Sequence, residues 1–362
     1  MKTLVVGGTG PTGPPIVAGL EARGHDVTIC HTGSHEVDEV LHLPHIHCDV
    51  RDEDALRGAI GGQDWDVAII TYGRLRTIAE VLAGRAGHFV SVGGGPAIRG
   101  YFDPWAHEPP GLPLPTREDA PTATEEEDGK SYRVARSERF VFDHHPTATH
   151  FRYPYVYGPR QLAPREWSVV KRILDRRPHI VLADGGQSAH SFGYVENLAH
   201  AIHCAVDRRE AAAGRIFHAA DEETLTVRQV VEICAAALNH ELEIISMPPE
   251  LAVPARPLMM QPSTHHRAFD TSEMRHVLGY RDVVPAREAV ARTARWLAEN
   301  PQGDMVERIL EDPFDYENED RLIAWWKRAT AAPPDLEWPT TPGYGLSYSG
   351  PGTSYERPDT RI

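Results

Sequence analysis

Apolar positions come in short runs separated by polar turns. Thr3 to Val6 form such a run, closed by Gly7. Ile16, Val17 and Leu20 then recur at helical spacing, so a strand is followed by a helix over residues 12–23, stopped at Gly24. The same alternation continues. "HDVTIC", "HIHCDV", "WDVAIITYG" and "GHFVSVGGG" read as strands, and "DEDALRGAI" and "RTIAEVLAG" as helices. Strands that alternate with helices and show no hairpin signals predict an α/β fold, with a parallel sheet covered by helices on both faces.

Residues 96–131 break the pattern. They are rich in proline and acid, and a stretch of that length reads as a functional loop or lid. A helix resumes near Tyr132, and "THFRYPYVYG" reads as a strand. "EWSVVKRILDRR", "SFGYVENLAHAIHCAVDR", "TVRQVVEICAAALN" and "PAREAVARTARWLAEN" carry helices, the third opened by a threonine cap, with "GRIFHAA" a strand before it. "ENEDRLIAWWKRATA" is amphipathic. The Pro/Gly/Tyr-rich remainder reads as a disordered end or an aromatic strap.

Composition narrows the class. A chain of 362 residues can bury more than one core. The formal charge of −15 argues against a nucleic-acid partner. No apolar run is long enough to span a membrane, and no secretory leader is expected, which predicts a cytoplasmic protein. Cys30, Cys48, Cys204 and Cys234 are scattered among apolar neighbours and read as buried thiols. The 20 histidines include the adjacent pairs His144–His145 and His265–His266, but neighbours point different ways, and no metal ligand is assigned.

The candidate chemistry begins at "VVGGTGPTGPPIV". Gly8, Gly10 and Gly13 fit G-x-G-x-x-G, and Gly7, Gly10 and Gly13 fit G-x-x-G-x-x-G. After a buried strand and opening a helix, either pattern cradles a pyrophosphate at the positive end of the helix. Pro11 has no N–H to give, so the expected cradle centres on Thr12, with Gly7, Gly10, Pro11 and Gly13 around it. Pro14 and Pro15 fall in the first turn, where no helix hydrogen bond is lost. At the end of the second strand, where an acid grips the ribose of NAD, stands His31, followed by Thr32 and Ser34. No acid there would repel a 2′-phosphate, so NADP is preferred over NAD. Asp49 is placed either to accept from the adenine or to cap the helix that follows. Tyr72, after the fourth strand, completes the cofactor-binding set on that side.

The chain resembles the extended short-chain dehydrogenase/reductase family, also called the NAD-dependent epimerase/dehydratase family. The resemblance rests on "GGTGPTG", "CDVRD", "RYPYVYGP", "FGYVENLAHA" and "LGYRDVVPAREAVARTARWL", in family order over most of the chain. It implies a Rossmann-type doubly wound parallel sheet with a smaller C-terminal α/β substrate-binding domain. The expected division is 1–160 for the cofactor domain, with later segments returning to it, 161–303 mainly for substrate, and 304–362 for a helix and tail. The resemblance further implies a homodimer built from helices near Tyr132.

It also implies a tyrosine acid/base, a lysine four residues on, and a serine or threonine after the fifth strand. Tyr132 matches the tyrosine, but its partner at that spacing is Arg136, and none of Lys2, Lys130, Lys171 and Lys327 follows a tyrosine at that distance. The hydroxyl position falls in Gly93-Gly94-Gly95. Room for a large substrate, or a different oxygen-binding donor such as Tyr101, Asp103, Trp105 or His107, is expected there. Gly94, Gly95, Tyr101 and His190 are the substrate-side candidates, and Tyr155 sits where relatives place a residue facing the nicotinamide or substrate. His190 occupies the place of a phosphate-binding arginine, which counts against a sugar-nucleotide substrate. The function expected is hydride transfer between NADP or NAD and a small alcohol or ketone, with Tyr132 moving the proton and Arg136 holding the ribose. An epimerase or dehydratase using its cofactor transiently, and a cofactor-binding regulator without catalysis, remain the alternatives.

Overall fold

The alternating runs fold as strands and helices in the predicted order. These are β1 (Lys2–Val6), α1 (Gly13–Glu21), β2 (Asp26–His31), β3 (His45–His47), α2 (Glu53–Ile60), β4 (Trp65–Ile70), α3 (Leu75–Val81) and β5 (Ala86–Gly94). After the long loop come α4 (Gly129–His144), β6 (Thr149–Tyr153), β7 (Tyr155–Tyr157), α5 (Trp167–Leu174), β8 (His179–Ala183), β9 (Ala189–His190), β10 (Phe192–Tyr194), α6 (Val195–Asp207), α7 (Arg209–Ala212) and β11 (Arg215–His218). The order closes with β12 (Leu225–Thr226), α8 (Val227–Ala237), β13 (Glu243–Met247), α9 (Arg256–Met259), α10 (Ser272–Leu278), α11 (Ala286–Glu299), α12 (Asp304–Leu310) and α13 (Tyr316–Thr330). This computed structural model describes residues 1–71, 73–259 and 263–337.

Seven strands form one sheet in the order β11-β6-β5-β4-β1-β2-β3, every pairing parallel. Strand order reverses between β1 and β4, which opens a crevice at their carboxyl ends. Both faces of each central strand are apolar because both are covered. Val5, Val67 and Ile69 pack with Ile16, Leu20 and Ile202 on one side. Leu4, Val6, Ala68 and Ile70 pack with Leu56, Ile60, Ile78 and Val141 on the other.

A second apolar core joins Tyr157, Trp167, Val170, Leu182, Val231, Val290 and Leu297. Pro154 separates it from the sheet. The run read as one strand breaks there into β6, which stays in the main sheet, and β7, which pairs with β10. Thr226 and Gln229 close a capping box on α8, as the threonine cap predicts. The long loop is anchored rather than free. Ile98 bridges to Thr122 and Thr116 to Phe269, and Ile98, Tyr101, Leu112 and Phe269 are buried together.

Residues 1–315 form one compact unit, and the described residues from 316 to 337 belong to another. In the latter, α13 is the amphipathic helix expected from the sequence, with the Trp325 and Trp326 ring centroids 6.1 Å apart. The aromatic end beyond residue 337 lies outside the described residues. No helix among the described residues is long and apolar enough to cross a membrane.

Candidate active site

The glycine turn is built by close approach. A Cβ on Gly13 would stand 2.1 Å from the Gly8 carbonyl oxygen, so α1 can reach β1 only with glycine there. Gly7 turns the chain at φ 94°, and its N–H donates to Cys30 O at 3.0 Å. Gly10 differs. A Cβ there would meet only Gly7 O, at 3.5 Å, so its exposed side is open. The Gly10 and Gly13 N–H groups donate to Gly7 O and Gly10 O, at 3.1 and 2.9 Å. Thr12 is the N-cap residue of α1 and is buried, and Pro14 and Pro15 occupy the first turn. Thr71, at the end of β4, ties this turn down by donating from Oγ1 to Val6 O at 3.0 Å.

A cleft of about 540 Å3 lies at the carboxyl ends of β4 and β5. Val50, Thr71, Arg74, Gly93, Gly94 and Val134 are among its lining residues. Val134 projects from α4, two residues past Tyr132. The buried face of that helix carries Ser131, Ala135, Glu138 and Val141. Tyr132 and Arg136 fall on another face, with Arg139 and Asp143. Arg136 and Arg139 are exposed, and the Arg139 guanidinium sits 5.4 Å from the Tyr132 ring centroid. The expected Tyr132–Arg136 pair is thus turned away from the side that borders the cleft, which presents the apolar Val134.

Gly94 lines the cleft as expected, but the space expected around the triple glycine is partly filled. A Cβ on Gly93 would stand 2.6 Å from the His150 ring, and one on Gly95 2.6 Å from Tyr101 and 2.7 Å from Phe269. Gly95 is buried by packing and does not line the cleft. Ser91 is fully buried and bonded to His150 Nδ1 at 2.8 Å, so it supplies no hydroxyl there.

Tyr101 leads from Gly95 into a buried polar cluster. The Arg267 guanidinium lies 5.8 Å from the Tyr101 ring centroid, and Arg267 Nη2 donates to Met259 O at 2.8 Å. It also stands 3.4 Å from His190 Nε2. His190 therefore does not leave its place without a guanidinium, because Arg267 stands beside it. Burial and the nearby guanidinium groups hold His190 neutral, well below the usual histidine range.

Tyr155 carries the Arg165 guanidinium 3.7 Å from its ring centroid, and its hydroxyl donates to Ala163 O at 2.9 Å. Burial lowers Arg165 to about 10 and raises Glu166 to about 7. Arg165 Nη2 is buried without a hydrogen-bond partner. So is the hydroxyl of Tyr153, whose backbone pairs with Gly94 and whose phenol burial keeps protonated. Arg165, Glu166 and Arg267 carry no recognisable spacing in the sequence. Only the packing of β7, β9 and the 263–270 segment brings them together.

His31 is buried at the end of β2, and the Thr32 and Ser34 hydroxyls lie 2.9 Å apart. A carboxylate is present after all, since Glu36 Oε1 lies 3.5 Å from His31 Nε2. Asp49 accepts from Arg51 N at 2.9 Å, while the cap of α2 is Asp52, bonded to Ala55 N at 3.0 Å. Tyr72 lies outside the described residues.

Seven parallel strands, a glycine turn opening α1 and a cleft at the carboxyl ends of β4 and β5, next to the point of strand reversal, decide the architecture. The chain has the fold of the NAD-dependent epimerase and dehydratase structures. A UDP-glucose 4-epimerase from Thermotoga maritima superposes with a TM-score of 0.65 at 17% identity, over 83% of this chain and all of that one. A dTDP-glucose 4,6-dehydratase from Bacillus anthracis, in complex with NAD, gives 0.62 at 15% identity, over 83% of this chain and 97% of that one. A 3-diazoavenalumate denitrifying reductase from a Streptomyces species is 26% identical over 70% of this chain and 85% of its own. Other relatives are matched over less of their length, 47% for a Sinorhizobium fredii protein and 36% for a rice UDP-D-apiose/UDP-D-xylose synthase. No family model matches the chain.

Proposed function

We propose that the protein is a nicotinamide-dependent oxidoreductase that transfers hydride within the cleft at the carboxyl ends of β4 and β5, without a tyrosine–lysine pair. The observation that carries this reading is the placement of Val134, rather than Tyr132, at the cleft. The open side of Gly10 and the positive end of α1 would hold the pyrophosphate, and Thr12 would supply the cap hydroxyl. The bound nicotinamide supplies or accepts the hydride.

Reduction of a ketone leaves an alkoxide that needs a proton donor, and a phenol serves best beside a cation. Val134 offers neither. An acceptor whose reduction leaves no basic oxygen suits this cleft better than the simple ketone expected from the sequence. The Streptomyces relative is named for a diazo substrate rather than a carbonyl one. Arg165, whose buried Nη2 is a free donor, favours a substrate carrying a carboxylate or phosphate, which a guanidinium binds in a fork, and Arg267 adds positive charge nearby. Tyr153 remains a hydrogen-bond donor for the substrate side.

Glu36 is surrounded by the imidazoles of His31, His45 and His47, so it is no free acid against a 2′-phosphate, and NADP stays preferred over NAD. The outward face of α4, with Tyr132 and Arg136, is left for the homodimer contact that the resemblance implies, which light scattering tests.

Incubation with NADH or NADPH carrying deuterium at the transferable position, and a panel of acidic electrophiles, tests the hydride reading. Deuterium in a product supports it. Saturable cofactor binding with no transfer to any acceptor would favour the regulator. Exchange of substrate hydrogen without net cofactor change would favour the epimerase or dehydratase alternative.

A further inference from the structure

The parallel register sets Ile29 beside His45 and His31 beside His47. Alternation along β3 puts His45 and His47 on one face, and His31 joins them from β2. The loop after β2 then returns Glu36 over all three. His31 Nε2 lies 2.9 Å from His45 Nδ1. Glu36 oxygens lie 3.5 Å from His31 Nε2, 3.5 Å from His45 Nδ1 and 3.3 Å from His47 Nε2. One donor atom from each residue falls within 4.8 Å of all the others. Zinc–nitrogen bonds of about 2.0–2.1 Å in a tetrahedron give ligand separations of about 3.3 Å, which the separations of 2.9–3.5 Å bracket.

We propose that His31, Glu36, His45 and His47 form a four-coordinate site for a divalent transition metal of the zinc class, pinning the loop after β2 to β3.

Three imidazole nitrogens and one carboxylate suit zinc, cobalt or nickel, and are wrong for calcium or magnesium, which take oxygen. Four protein donors leave no open position, the pattern of a structural rather than a catalytic ion. His45 is already oriented for the task. Its Nε2 donates to Val40 O at 2.9 Å, so the bare Nδ1 faces the other ligands. The loop approaches closely enough for a short coordination sphere. Gly33 turns at φ 76°, and a Cβ there would stand 3.3 Å from the His47 ring.

Without an ion, the His31 Nε2 proton bridges to His45 Nδ1, while His31 Nδ1 accepts from Gly33 N at 3.3 Å. An entering ion takes the place of that shared proton. The proton moves to His31 Nδ1 by exchange with water, the long Gly33 contact is given up, and the imidazole stays neutral. Glu36 leaves the occupied site with one net positive charge.

The test uses the full chain without an affinity tag, stripped by a chelator and titrated with Co2+, which reports geometry in its visible spectrum. The proposal expects one equivalent bound with the intense bands of a tetrahedral centre, bleached by Zn2+. His47→Ala should weaken binding by about tenfold or more. His47 is exposed, so this variant should fold as the parent does, which the thermal midpoint of the stripped proteins verifies. Glu36→Gln should alter the spectrum as well as the affinity. No binding below millimolar Co2+, or a spectrum and affinity unchanged in both variants, would overturn the assignment.

Discussion

Glu138 of α4 and Arg152 of β6 are joined by two hydrogen bonds of 2.7 Å, from Arg152 Nε and Nη2 to the two carboxylate oxygens. Both side chains are buried. Arg152 also donates to Glu118 O at 2.9 Å. This fork sets the roll of α4 about its own axis. With Glu138 held inward, Val134 one turn earlier lines the cleft, and the half-buried Tyr132 lies on another face of the helix. Glu138→Ala leaves a buried guanidinium without its acid. A loss of about 3–5 kcal/mol in urea unfolding is expected. A loss within the range of a surface ion pair, below about 1 kcal/mol, would remove the pair from this role.

The roll separates two variants. Tyr132→Phe should change cofactor affinity and hydride transfer by less than about twofold, because Val134, not Tyr132, is on the face of α4 that lines the cleft. Val134→Trp should fill the cleft and weaken cofactor binding by about tenfold or more, equivalent to about 1.4 kcal/mol. The reverse pattern would restore Tyr132 to the site.

The sheet, the glycine turn and the helix order were legible in the sequence because each follows from local periodicity and turn chemistry. The roll of α4 was not. Tyr132 and Arg136 have the expected spacing, but spacing fixes only their relation to each other, and a partner on β6 decides which way they face. Arg267 likewise lies far along the chain from His190, and only a bridge between the two segments brings its charge back. The histidine cluster was half visible. "HIH" in a strand places two imidazoles on one face, yet the contributions of β2 and of the returning Glu36 depend on register and loop path.

Asp221 gives a pH dependence with a definite sign. Its carboxyl accepts from Tyr157 Oη at 2.7 Å, Asn197 Nδ2 at 2.8 Å and Tyr194 N at 3.0 Å, yet burial raises it from 3.8 to about 7. Between those values the folded chain keeps a proton that the unfolded chain releases. Stability from this group therefore falls as pH rises from about 4 to about 7, and is flat above. Buried histidines such as His203, lowered to about 4, slope the other way, but they cancel in a comparison of two variants. Relative to the parent, Asp221→Asn should gain stability steadily across that window in urea unfolding. A difference independent of pH would contradict the raised carboxyl.

The proposed nicotinamide dinucleotide would lie along the glycine turn and the β4–β5 cleft. Fluorescence titration of NADH and NADPH against the parent, Gly10→Ala and Gly13→Ala tests it most directly. The parent should bind saturably at one site per chain. Gly10→Ala should keep its thermal midpoint, since its methyl meets only Gly7 O at 3.5 Å, and should lose about tenfold or more in affinity. Gly13→Ala should lose stability first, because its methyl would stand 2.1 Å from Gly8 O. No binding of either dinucleotide by the parent, or undiminished binding by Gly10→Ala, would rule out a dinucleotide at the glycine turn.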